Sequence, residues 1–165
     1  KPQMANFEMA GFDFDRTESR ARADWDTLKK LREAWPGNLV VKGVLDVEDA
    51  VALKAAGVDA IQVSSHGARQ LESAPAPFAM LPRIREAVGE GFPLFYDSGL
   101  RSGEDALKAL HAGADFTFFG RILQFAIAAA GEEGLHRLWA VLTDELSIAM
   151  AQTGLRDLEF DAGNR

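Results

Sequence analysis

Cysteine is absent from this chain of 165 residues, which excludes disulfides, a thiolate nucleophile and a Cys-ligated metal site. No apolar run approaches the stretch of about 20 residues that spans a bilayer. No G-x-G-x-x-G turn between a strand and a helix marks a dinucleotide site. Basic residues are in the minority, 18 Lys and Arg against 25 Asp and Glu, for a net charge of -7. A nucleic-acid groove needs a basic stripe, so nucleic acid is not an expected partner. A small anionic ligand stays open, because a few local cations can govern a pocket in an acidic protein. No cluster with metal-ligand spacing stands out, and no metal is expected. The opening stretch KPQMANFEMAGFDFDRTESRARA, residues 1–23, does not begin with Met and carries no regular period. It reads as an irregular leading segment, or as a sign that the chain is the second part of something longer. A cytoplasmic setting is the default expectation.

What is present has the balance of an ordinary globular domain, 47% hydrophobic and 26% charged. The period switches repeatedly between strand and helix. DWDTLKKLREAW places Trp25, Leu28, Leu31 and Trp35 at helical spacing, with Asp24 as the cap. LVVKG reads as a buried parallel strand. DVEDAVALKAAG reads as a helix capped by Asp46, with Asp49 completing an imperfect capping box and Gly57 as the stop. The strands VDAIQVS, FPLFYD and ADFTFFG follow, separated by helices within APFAMLPRIREAVG and SGEDALKALHAG. A helical tail broken near Gly131 and Gly134 closes the pattern. Two units, GVLDVEDAVALKAAGVDAIQV and GLRSGEDALKALHAGADFTFF, form a weak internal repeat. Two α/β architectures fit: an open doubly wound sheet, or part of an eight-stranded β/α barrel.

The polar residues fall at one edge of this scaffold. Lys42 follows the first strand; Ser64, Ser65 and His66 follow the second; Asp97 follows the third; Gly120 and Arg121 follow the fourth. The C-terminal edge of a parallel sheet is where α/β enzymes bind and react. Each residue alone has an ordinary turn, cap or surface explanation; four successive strand ends together do not. His111 and His136 lie on helices away from that edge and read as structural. The three Trp residues and the SIAMAQ stretch read as core or interface packing.

VKGV, VSSHGARQLE, DSGLRSGEDALKALHAGAD and FFGR stand in this order at spacings that resemble the C-terminal half of the FMN-dependent 2-hydroxy acid dehydrogenases and oxidases. This is the family of glycolate oxidase, lactate oxidase, L-lactate dehydrogenase and mandelate dehydrogenase. The likeness covers about residues 24–160, leaving 161–165 as a tail. The family usually has Asn at Ser65, Asp at Glu72 and Pro at Ile122. The resemblance implies strands five to eight of a (β/α)8 TIM barrel, with residues 1–23 ending the loop after strand four. It implies FMN as cofactor and a small 2-hydroxy acid as substrate. His66 would be the catalytic base and Arg69 the clamp on the substrate carboxylate. An imidazole of unperturbed pKa near ~6.5 suits the first role, and a planar guanidinium fork suits the second. Lys42 and Ser64 would face the flavin ring. Asp97 would hold ribityl hydroxyls or an arginine. Ser98, Gly99, Leu100, Arg101, Gly120 and Arg121 would form the phosphate site. The first four strands would supply further flavin contacts, substrate-binding tyrosines and an acidic partner for the histidine. An N-terminal half-barrel chain or fragment is therefore the expected partner, along with a homo-oligomer that could be a tetramer. Some members of the family attach peripherally at the inner membrane face. Against this stand another phosphate-binding barrel oxidoreductase, which gives no reason for the His66–Arg69 pairing, and a non-catalytic half-barrel module.

Overall fold

The computed structural model describes residues 24–160. The expected leading segment 1–23 and tail 161–165 lie outside the described residues. The chain divides into two compact units at Pro36 and Gly37. In the first, helix α1 spans Trp25–Ala34, and the side chain of Asp24 accepts the Thr27 amide at 2.8 Å as the expected cap.

The second unit alternates strand and helix. It runs β1 (Val40–Val44), α2 (Val47–Ala55), β2 (Ala60–Val63), a 3₁₀ turn (His66–Ala68), α3 (Pro77–Val88), β3 (Leu94–Tyr96), α4 (Gly103–His111), β4 (Phe116–Thr117) and α5 (Arg121–Thr153). All neighbouring strands are parallel, in the order β1-β2-β3-β4. A doubly wound sheet reverses its strand order at a switch point. This one never does, so the arrangement is four successive units of a β/α barrel. β2 is buried at every position, as befits a central strand covered on both faces. The core is Ile61, Val63, Leu81, Ile84, Val88 and Leu94 between sheet and helices.

The sequence repeat has a matching structural repeat. α2 and α4 are each nine residues long and begin on a side-chain cap, Asp46 or Ser102. Each ends in Ala-Gly, with Gly57 and Gly113 at positive φ. The Asp that follows then clamps the preceding strand. Asp59 Oδ2 accepts the Leu39 amide at 2.7 Å, and Asp115 Oδ2 accepts the Leu94 amide at the same 2.7 Å. Each Asp amide also donates to a carbonyl of that same residue, Leu39 or Leu94.

Arg85 of α3 completes the second clamp from inside. It is only 4% exposed. Its guanidinium donates to the carbonyls of Gly113 (2.8 Å), Gly89 (2.7 Å) and Phe92 (2.8 Å) and to Asp115 Oδ2 (2.6 Å). One buried cation thus ties the end of α3, the entry to β3 and the turn before β4. At the far side Gly103 abuts α5 so closely that a Cβ would lie 2.2 Å from the Leu142 carbonyl oxygen. Its amide donates to Glu145 Oε2 at 2.8 Å.

α5 breaks at Ala130 and Gly131, the latter at φ 57 and ψ -134, where a break is expected. Gly134 lies beyond the break against the Ala126 carbonyl. Among the described residues no helix is long and apolar enough to cross a membrane. The Trp residues are not core: Trp25, Trp35 and Trp139 are 50%, 56% and 73% exposed.

Replacing Arg85 by Met keeps the stem but removes every donor, leaving buried carbonyls and Asp115 without their cation. In the full-length protein R85M should lower the unfolding free energy by about 3 kcal/mol in a denaturant titration. A loss below about 1 kcal/mol would show that water replaces the guanidinium.

Candidate functional site

The site begins with an irregularity in β1. Lys42 pairs with Gln62 and Val44 with Val63, so Gly43 is an extra residue in the ladder. It adopts φ 98, a conformation natural only to glycine. Bulges of this kind re-aim side chains beside functional sites. Here a Cβ on residue 43 would sit 2.6 Å from Cε1 of His66. The missing side chain is the seat of the imidazole.

Beside that seat, Lys42 Nζ lies 2.8 Å from Asp97 Oδ2 and donates to Ser64 Oγ at 2.6 Å. Gln62 Nε2 donates to the same Asp97 oxygen at 2.8 Å, and Ser98 Oγ donates to Asp97 Oδ1 at 2.7 Å. Burial pushes the Asp97 carboxyl up. Hydrogen bonds from Lys42, Ser64 and Ser98, with the Lys42 charge, outweigh it and hold the group below its ordinary value. Tyr96 donates its hydroxyl to the Ser98 carbonyl at 2.9 Å. Burial, with Asp97 and Asp105 nearby, raises its pKa to about 12, so it stays a neutral donor.

The loop after β2 is wound in the left-handed region at three consecutive residues, His66 (φ 54), Gly67 (φ 65) and Ala68 (φ 62). His66 is exposed, and Arg69 caps the turn with an exposed side chain. Ser64 is fully buried, its Oγ accepting both Lys42 and the His66 amide (3.0 Å). Lys42, Ser64, His66, Asp97 and Ser98 are therefore joined in one network.

Of the expected phosphate residues, Ser98 belongs to this network through its hydroxyl, and the others follow it in the chain or lie at the end of β4. Gly99 (φ 88) and Gly120 are exposed, with no atom within 4 Å of where a Cβ would project. Backbone at both points is open to a ligand. Leu100 is buried, Arg101 is exposed with its amide bonded to Asp105 (2.9 Å), and Arg121 is the exposed first residue of α5. Sequence reasoning missed Gly43, Gln62 and Tyr96. Gln62, a lone polar residue inside AIQV, carried a legible signal; Gly43 and Tyr96 did not.

A model of the FMN-dependent dehydrogenase family matches residues 2–161. The chain belongs to that family. FMN is the cofactor of the family. An L-lactate oxidase of Alicycliphilus denitrificans is 46% identical over 140 residues, 83% of this chain and 38% of the relative. An L-lactate dehydrogenase of Caulobacter vibrioides is 44% identical over 134 residues, 81% of this chain and 35% of the relative. The chain thus spans little more than a third of these relatives. A crystal structure of mandelate oxidase with (S)-4-hydroxymandelic acid superposes with a TM-score of 0.79 at 39% identity, covering 82% of this chain and 38% of the other. Another mandelate oxidase structure gives 0.80 at 34% identity, covering 92% and 48%. These superpositions agree with half of a (β/α)8 barrel.

Because its folded pKa is depressed, the Asp97 carboxylate stabilises the fold fully above the unfolded value of about 3.9 and loses that contribution as pH falls through the folded value. D97N in the full-length protein should lower stability at neutral pH and flatten its decline below about pH 4. An unchanged acid limb in denaturant melts at several pH values would remove Asp97 as the responsible group.

Proposed function

We propose that the full-length protein oxidises a small L-2-hydroxy acid, of the lactate, glycolate or mandelate class, to the 2-oxo acid with FMN. The observation that carries this reading is the placement of His66 on the Gly43 seat beside the Lys42–Asp97 pair, at the C-terminal edge of the sheet. The lactate and mandelate names of the relatives support the substrate class.

Converting the hydroxyl carbon to a carbonyl removes two protons and an electron pair. FMN, when bound, would accept the electron pair together with one of these protons. Lys42, steadied by Ser64 and Asp97, provides positive charge beside the ring, where fixed charge favours the reduced form. Gly99 and Gly120 offer open backbone to the phosphate, with Arg101 and Arg121 as its cations and the α5 N-terminus adding its dipole. Asp97, beside Lys42, would accept a hydrogen bond from a ribityl hydroxyl. His66 receives a substrate proton on its imidazole. Arg69, three residues on, grips the carboxylate with two parallel hydrogen bonds. Holding the acid group by the same short loop aims the reacting carbon at the base.

On this reading residues 24–160 are half of the catalytic barrel, and the other half completes the flavin and substrate contacts. The sheet supports it: Phe95, Phe116 and Phe118 form a cluster of edge-on and tilted rings (centroids 5.1–6.3 Å apart) in which Phe116 is 54% exposed. Residues 1–165 alone should therefore show neither tight FMN binding nor turnover, and adding the missing half should restore both. Full activity of these residues alone would overturn the half-barrel assignment.

In the complete enzyme H66A should lower kcat by about 10²- to 10⁴-fold with KM little changed, the range of general-base catalysis. R69K should chiefly raise KM, because an ammonium cannot reproduce the two-pronged grip. Steady-state kinetics with L-lactate and mandelate check both, and normal turnover of H66A removes the base.

A further inference from the structure

The His66 turn is an unfavourable backbone, and something must hold it. Left-handed φ at His66 and Ala68 is disfavoured for residues with a Cβ and persists only where neighbours enforce it. Three serine hydroxyls receive the four successive amides of residues 65–68. Ser98 Oγ accepts Ser65 (3.1 Å) and Gly67 (3.4 Å), Ser64 Oγ accepts His66 (3.0 Å), and Ser65 Oγ accepts Ala68 (3.2 Å). Of the three, Ser98 alone reaches in from another strand end. Its single hydroxyl hydrogen goes to Asp97 Oδ1 at 2.7 Å, so its lone pairs face the loop. Its own backbone is left-handed at φ 87, and Tyr96 pins its carbonyl at 2.9 Å.

We propose that Ser98 is a positioning residue whose hydroxyl, oriented by Asp97, holds the His66 turn against the Gly43 seat. This rests on the assignment of His66 as base. It differs from a role in which Ser98 lends only its backbone N–H to phosphate. Asp97 then serves both ends of the site, fixing the Lys42 ammonium with one oxygen and the His66 turn, through Ser98, with the other.

The test uses full-length, FMN-loaded enzyme carrying S98G, which keeps the amide and suits the left-handed backbone while removing the whole hydroxymethyl group. S98A removes the same hydroxyl with a Cβ retained. Hydrogen–deuterium exchange of the peptide covering residues 64–70 should quicken about tenfold in both, the scale of one lost hydrogen bond. kcat with L-lactate should fall about 10- to 100-fold through misplacement of the base, with FMN affinity near wild type. Unchanged exchange overturns the proposal. So does weakened FMN binding with normal exchange, which would make the hydroxyl a cofactor ligand. Faster exchange with undiminished kcat is decided by H66A. If that variant is inactive, Ser98 does not position the base. If it is active, the contact stands and the base assignment falls.

Discussion

The carboxylate of Asp97 is the group on which the arrangement at the sheet edge depends. It lies at the end of β3 and takes bonds from β1 through Lys42, from β2 through Gln62 and from its own neighbour Ser98. Parallel strands deliver their last side chains to a common edge, but delivery alone leaves long polar chains free to wander into solvent. A single anion bonded to residues of three strands removes that freedom. The cost of partly burying it is met by the hydrogen bonds and the cation it gathers, which is why its pKa still falls.

The opposite edge of the sheet is organised by the same chemistry used differently. Asp59 and Asp115 each satisfy the backbone at the start of a strand, and Arg85 makes the second of these a buried ionic junction. Both carboxylates accept a backbone amide, and Asp115 a guanidinium besides, whereas the bonds gathered by Asp97 come from side chains. Amide partners belong to the fold whatever the sequence around them. Side-chain partners exist only where the four residues occur together at the C-terminal edge.

Much of this was legible in the residues. Asp24 and Asp46 cap helices as their side chains predict, Gly57 and Gly113 end them, and Gly131 breaks the tail. The alternating pattern gave four strands, and the resemblance of VSSHGARQLE and DSGLRSG to a known family gave the barrel. Periodicity alone left the doubly wound sheet open, because strand order is set by long-range pairing. It was equally silent on Arg85, whose neighbours in PFAMLPRIREAVG carry nothing that separates a buried arginine from a solvated one. β4 shrank to two residues although ADFTFFG is rich in phenylalanine, and its ladder partner β3 is only three residues long. Within the site, the residue types were readable but their bonds were not. Ser98 was placed correctly at a strand end, yet that its hydroxyl faces back toward His66 follows from a positive φ no pattern announces.

The consecutive strand order has a consequence for how the molecule comes into being. Among the described residues each strand after β1 pairs with the one synthesised just before it, so each new unit closes one crossover and adds to a surface already formed. Contacts of this sequential kind favour rapid folding relative to sheets that must wait for a distant partner. The chain can grow its sheet in the order a ribosome releases it, and the residues that meet at Asp97 come together only when the third strand has docked. Assembly of this edge thereby requires three strands to have paired in register.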